Sequence, residues 1–207
     1  MRKNKVIVTR IEQGTGKKYC VYADEEFLFS LYNKELRQFH IQEGNEISQD
    51  VIAYILDTIV YKRAKERALF LLERKPYSVY MLKCKLKDNA YSSDIIDRVV
   101  AFLEKYHYLD DEEYVRMYVE SNSARKSKKQ LLYDLYRKGV SKTVVDAYFE
   151  TNAYSEKNCF DKQFQRYVRG KNLHDYNDRQ KVFRYFYNKG FSCAIIEQYI
   201  KDEMLEV

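Results

Sequence analysis

The densest run of reactive side chains in this 207-residue chain is acidic: Asp110-Asp111-Glu112-Glu113. Such carboxylates could ligate a hard cation or divide acid and base roles, but only if their oxygens converge with further groups. The simpler reading is a helix N-cap and an acidic first turn, which the helix dipole favours. The three histidines, His40, His107 and His174, are scattered. His40 and His174 read as surface residues and His107 as a helix end. Cys20, Cys84, Cys159 and Cys193 form no CxxC pair and none lies near a histidine, so zinc-ligand spacing is absent and reduced thiols are expected. Gly14-Thr15-Gly16 lacks the third glycine and the following helix of a phosphate-binding loop. No Ser/His/Asp or Cys/His arrangement emerges. The chain is therefore expected not to be an enzyme, and to use no cofactor and no metal.

The basic residues carry a different chemistry. The net charge is +6 and unevenly spread, because residues 1–60 are net −1 and the rest net +7. The excess falls into three blocks: Lys62–Lys87 with nine basic and two acidic residues, Asn122–Lys142 with seven and one, and Lys162–Lys189 with eight and two. Laid in register, such blocks suit a long polyanion or an acidic groove, whereas singly each reads as a solvated helix face. Tyrosine is abundant, 21 residues with no tryptophan. Tyr80, Tyr133 and Tyr136 sit among the basic residues, where bases could stack on them. The competing role for tyrosine is filling thin three-helix cores with the hydroxyl reaching water.

The elements that must position these residues repeat. Lys85–Ser92, Asp134–Ser141 and Tyr185–Ser192 align, with serines 49 and 51 residues apart, each followed three residues later by an apolar pair. A fixed period of this size marks one supersecondary unit used three times, an architecture that exposes an extended surface more readily than it builds a catalytic pocket. Gly139 and Gly190 suit left-handed helix ends; in the first repeat Ala90 stands there, and Asn89 offers a turn shifted by one residue. Ser48, Ser78, Ser92, Ser141 and Ser192 read as N-caps. A long helix is expected from Ser48 to about Glu73, ended by Pro76 near the start of the next. Residues 1–47 differ: Val6–Ile11, Tyr19–Tyr22 and, more weakly, Glu26–Leu31 read as strands, with a short helix over Lys34–Phe39. The expected fold is mainly α, three tandem three-helix repeats in an elongated curved array after a small β-rich module. The expected divisions are 1–47, 48–109, 110–153 and 154–207, with nine helices in three triplets.

Several segments resemble the RecX regulatory proteins. They are Ala64-x-x-Arg67-Ala68-Leu69-x-x-Leu72, Ser78-x-x-Met81-Leu82-x-x-Lys85-Leu86, and His107-Tyr108-Leu109-Asp110-Asp111-Glu112-Glu113-Tyr114-Val115, which is similar to the family's GYLDDxxFA segment. Lys129-Gln130-Leu131-x-x-Asp134-Leu135-x-x-Lys138-Gly139-Val140 looks like its ELxxKGI segment. The resemblance covers residues 60–207, and the β module looks like the extra domain of longer members. His107 stands where the family has glycine, and Lys126-Ser127-Lys128-Lys129 where it often has Gly-Pro. The resemblance implies binding to RecA recombinase filaments and restraint of their ATP hydrolysis, extension and strand exchange.

On that reading the contacts to acidic RecA surface or DNA phosphate are Lys83, Lys85 and Lys87 in the first repeat, Arg125, Lys126, Lys128, Lys129, Arg137 and Lys138 in the second, and Arg179, Lys181 and Arg184 in the third. Single- and double-stranded DNA are further candidate partners. Helix-turn-helix base readout fits less well, since the cations are mostly lysines spread over three units. The alternatives are a general nucleic-acid-binding repeat protein and a protein–protein scaffold. No apolar run of about 18 residues exists, so no membrane span is expected. The apolar stretch after the basic N-terminus is only Val6-Ile7-Val8, too short for a signal peptide. A cytoplasmic monomer is expected.

Overall fold

A computed structural model describes residues 5–205. The chain forms two compact units, one ending at Asp110 and the other beginning at Asp111.

In the first unit, β1 (Lys5–Gln13), β2 (Lys18–Ala23) and β3 (Glu26–Tyr32) precede α1 (Asn33–Gln38) and β4 (Glu46–Ser48). The sheet order is β3-β2-β1-β4, antiparallel throughout. Asp24 and Glu25 join β2 to β3 with φ of 49° and 67°. Positive φ at both positions of a two-residue loop gives the twist that antiparallel strands require. The fourth strand was not apparent in the sequence, since three residues carry no readable alternation. Then come α2 (Gln49–Tyr54), a π-helical stretch (Ile55–Val60) and α3 (Tyr61–Arg74), continuous in backbone conformation. The wider turn donates Tyr61 N–H to Leu56 O and keeps Ile55 and Val60 both buried. Ala64 and Ala68, four residues apart on one helical face, are wholly buried in the core shared with Val21, Phe29, Leu31, Val99 and Leu103.

The sheet is fastened to the turn between α4 (Val79–Lys87) and α5 (Ser93–Lys105) by side chains. Thr15 Oγ1 donates to Asp88 O (3.3 Å), Lys18 Nζ to Asn89 O (3.2 Å) and Ser30 Oγ to Ala90 O (3.1 Å). Arg63 donates to Ser30 O (3.3 Å) and pairs with Glu35. Lys18 is only 7% exposed. Its burial, then the charges of Arg63 and Arg67, push the ammonium pKa down. Pro76 lies outside the helices, two residues before the Ser78 N-cap of α4.

The second unit holds α6 (Asp111–Asn122), α7 (Lys128–Arg137), α8 (Lys142–Thr151), α9 (Lys157–Val168), α10 (Tyr176–Asn188) and α11 (Cys193–Leu205). Leu131, Leu135 and Val145 are wholly buried in the first of these triplets, and Phe160, Phe164, Val182 and Phe186 in the second.

The sequence repeat is a repeated helix cap. Tyr91, Val140 and Phe191 each donate N–H to the carbonyl five residues back, at Leu86, Leu135 and Phe186. Ala90, Gly139 and Gly190 donate to the carbonyl three back, with φ of 57°, 76° and 84°. This is the Schellman pattern, in which the first residue after the cap is left-handed and the next is apolar; Tyr91, Val140 and Phe191 are all buried. Asn89 does not take over the left-handed position in the first repeat. Its amide instead donates to Lys85 O (2.8 Å), and Ala90 carries the positive φ. His107 also holds φ of 56° after α5, with Tyr108 N–H bonded to Leu103 O. Glycine would be unstrained at that position.

Ser48, Ser78, Ser141 and Ser192 each accept an N–H from three residues on. Ser92 begins α5 without such a bond. Ser127 forms a full capping box with Gln130, and Asp175 caps α10; neither was anticipated. Asp111, Glu112 and Glu113 do occupy the first turn of α6. Glu113 and Glu120 pair with Arg116 along that helix.

Candidate functional site

The candidate contacts fall at three places along the chain, on α4, on the α6–α7 turn with α7, and on α10. On α4, Lys83 pairs with Asp97 (2.7 Å) and Lys85 with Asp88 (3.5 Å), while Lys87 is exposed at the helix end. On α10, Arg179 donates to Leu173 O (3.0 Å) and His174 O (2.9 Å), tying down the preceding loop. Lys181 pairs with Asp178 (3.1 Å), and Arg184 is exposed.

The second group is the most organised. Arg125, Lys126, Gln130, Tyr133, Asp134 and Lys189 line an open groove of about 370 Å³. The α6–α7 turn supplies Arg125 and Lys126, and the first turns of α7 supply the next three. Lys189 comes from the α10–α11 turn, which the repeat packing brings alongside. Ser127 Oγ donates to Lys189 O (2.7 Å), and Lys189 Nζ donates to Gln163 Oε1 (2.8 Å). Gly190 allows this approach: a Cβ there would lie 2.9 Å from Lys129 Cβ and 3.0 Å from Ser127 Oγ. Glu156 accepts from Lys128 N–H, and Tyr154 donates its hydroxyl to Lys126 O (2.7 Å), closing the same junction.

Lys126 belongs partly to the fold. Its Nζ donates to Asp134 Oδ2 (2.7 Å) and lies 2.8 Å from Tyr118 Oη, which also donates to Asp134 (2.9 Å). Burial alone would raise the Asp134 carboxyl; hydrogen bonds from Lys126 and Tyr118, with the charges of Lys126 and Lys138, outweigh it and hold it below the usual range. Burial likewise opposes the Lys126 charge, and its contacts with Asp134 and Tyr118 raise the pKa nonetheless. Three cations against one carboxylate leave the groove net positive. Tyr133 stands at it 62% exposed, with Arg137 over its ring at 5.7 Å. Lys128 lies over Phe149 (5.0 Å) and Lys138 over Tyr118 (5.2 Å), while Lys129 is exposed. Such a surface can take up phosphate or carboxylate and offers a ring for stacking. Lys189 was not among the expected contacts. Its signal was present in the repeat, since it occupies the position of Lys138.

Among the described residues no group of three or more His, Cys, Asp or Glu could hold a metal ion, and no helix is long and apolar enough to cross a membrane. The four thiols are unpaired. Tyr77, Tyr91 and Tyr114 are core residues, whereas Tyr80 and Tyr136 are exposed like Tyr133.

Residues 64–103 match the first three-helix domain of RecX, and residues 110–148 the second. Both matches are to RecX domains, in consecutive stretches of the chain. The regulatory protein RecX of Caldanaerobacter subterraneus subsp. tengcongensis is 29% identical over 195 residues, 93% of this chain and 98% of that one. RecX of Clostridium acetobutylicum is 28% identical over 206 residues, covering 94% and 95%. In fold, a crystal structure of regulatory protein RecX aligns over 95% of this chain and 99% of its own at 23% identity, with a TM-score of 0.61. RecX from Lactobacillus salivarius aligns over 71% and 97% at 21% identity, with a TM-score of 0.60. The RecX relatives are thus matched over nearly their whole length. His107 stands at the left-handed position where the RecX segment quoted above has glycine.

Proposed function

We propose that this chain is a non-enzymatic, cytoplasmic regulator of homologous recombination and DNA repair that lies as a monomer along RecA–DNA filaments. Bound there, it hinders the subunit changes that ATP turnover requires and blocks filament extension and strand exchange. Similarity over nearly the whole chain to proteins named regulatory protein RecX supports the reading. The observation that carries it is the positive groove of Arg125, Lys126 and Lys189 at the junction of successive repeats, with Tyr133 at its edge. Repeated weak contacts along one molecule favour a repeating partner over its free subunits. The division of the chain at 47, 109 and 153 belongs to the same proposal, each later segment being one contact module.

The exposed Tyr133 ring favours a second reading, general binding of single-stranded nucleic acid. One titration separates the two: RecA ATP hydrolysis on single-stranded DNA, with binding to the bare strand measured alongside. Inhibition well below one molecule per RecA, where bare DNA is unoccupied, is expected. Inhibition that appears only as bare DNA saturates would replace filament binding with competition for the strand. No inhibition at any ratio would leave the resemblance as shared architecture only, and negligible DNA affinity beside it would point to a protein–protein scaffold.

A further inference from the structure

Each repeat of the second unit has the same face, formed by the start of its middle helix and the end of its last helix. On α7 and α8 that face is covered. Lys128 donates its N–H to Glu156, the Phe149 ring meets Tyr154 edge-on at 5.8 Å between centroids, and Gly190 sits against Lys129. The covering segment is Tyr154-Ser155-Glu156, an aromatic residue followed two positions later by a carboxylate at the start of a helix.

Fifty-one residues on, Lys128, Lys129 and Phe149 become Arg179, Gln180 and Ile200. These residues line an open groove of about 470 Å³ together with the apolar Phe183 and Met204 and the charged Glu197 and Lys201. We propose that this groove on the third repeat docks a segment of another protein that presents the same pattern, an aromatic ring followed two residues later by a carboxylate. The ring enters between Phe183, Ile200 and Met204. The carboxylate is held differently from Glu156. Because α10 begins one turn earlier than α7, Arg179 N–H is already bonded to Asp175 O (3.1 Å) inside the helix. Recognition therefore falls to the side chains, and Lys201 stands where the second repeat has Glu150. That exchange makes the open face more selective for an acidic segment than the covered one. The proposal does not depend on the RecA reading.

The test uses the full chain and a fluorescent peptide of residues 152–158, which carries the pattern. A saturable anisotropy change with a midpoint below about 1 mM is expected. It should weaken at least about tenfold when the peptide carries Tyr154→Ala, and similarly when the protein carries Gln180→Glu with Lys201→Glu. Both protein positions are exposed, so an unchanged thermal melt is expected and separates lost binding from lost fold. Absence of saturation, or binding indifferent to either change, would overturn the proposal. So would sedimentation showing that the free protein self-associates and that Lys201→Glu abolishes it, because the occupant would then be a second copy.

Discussion

Ala90 and His107 hold left-handed backbone with a Cβ attached, at φ of 57° and 56°. That conformation costs an L-residue roughly 1 kcal/mol or more relative to glycine. Ala90→Gly and His107→Gly are each expected to raise stability by about 1 kcal/mol, read as higher urea midpoints with unchanged m-values. An unchanged or lowered midpoint would show that the added unfolded-state entropy of glycine cancels the relief. A second residue-scale expectation concerns Asp134. Its pKa is depressed in the fold, so it contributes stability that is present above the unfolded carboxylate value and lost as pH falls through the folded one. Asp134→Asn should cost about 1–2 kcal/mol at neutral pH. It should also flatten the loss of stability below about pH 4. A variant that retained the full acid slope would remove Asp134 from its causes.

Between helices, the decisive atom is one the sequence lacks. Gly190 is left-handed and pressed against Lys129 and Ser127, whereas Gly170 is left-handed with nothing within 4 Å of a Cβ. Gly170→Ala is therefore expected to cost about 1 kcal/mol, the backbone term alone. Gly190→Ala should cost about 2–3 kcal/mol, because the repeat junction must also open. Equal losses at the two sites would mean that the junction yields freely. The same contrast explains what could be read from the chain beforehand. Caps repeat because each needs a left-handed residue, an apolar successor and a serine, and residue types report those needs directly. The π-helical turn at Ile55–Val60, the three-residue strand at Glu46–Ser48 and the burial of Lys18 leave no such mark. Each is settled by partners distant in sequence, as when Lys18 meets Asn89 O and Tyr91 Oη. The basic blocks were plain in the composition, but not the division of labour inside them. Lys126 and Arg179 brace the fold through Asp134, Tyr118 and the Leu173 and His174 carbonyls, while Arg125 and Lys129 are exposed, and only the folded contacts separate the two kinds.

At the scale of the whole molecule, the question is whether the three blocks act together on one partner. Lys87, Arg125 and Arg184 are exposed, one in each repeat, and Arg125 meets Gln163 through its backbone carbonyl, which a side-chain reversal leaves in place. Reversing each to glutamate should leave the melting temperature unchanged. Each reversal removes one favourable charge contact and adds a repulsive one, so inhibition of RecA should weaken by about threefold to tenfold per site. If the repeats engage one filament simultaneously, their losses add as free energies, and the triple variant should show the product of the three factors. A protein that uses one repeat at a time would show only the largest single factor. A reversal without effect would remove that repeat from the contact. The salt dependence then separates the kinds of partner surface. If the charges meet DNA phosphates, each reversal should reduce the log–log salt slope of binding by about one. If they meet acidic protein surface, counterion release from DNA does not enter, and the slope should fall well short of that change. The stacking ring offers an independent check, because Tyr133→Ala should weaken binding to bare single strands by about 1–3 kcal/mol only if bases reach it. Loss of strand binding without loss of filament inhibition would assign the Arg125–Lys189 groove to nucleic acid and leave the filament contact to the other two repeats.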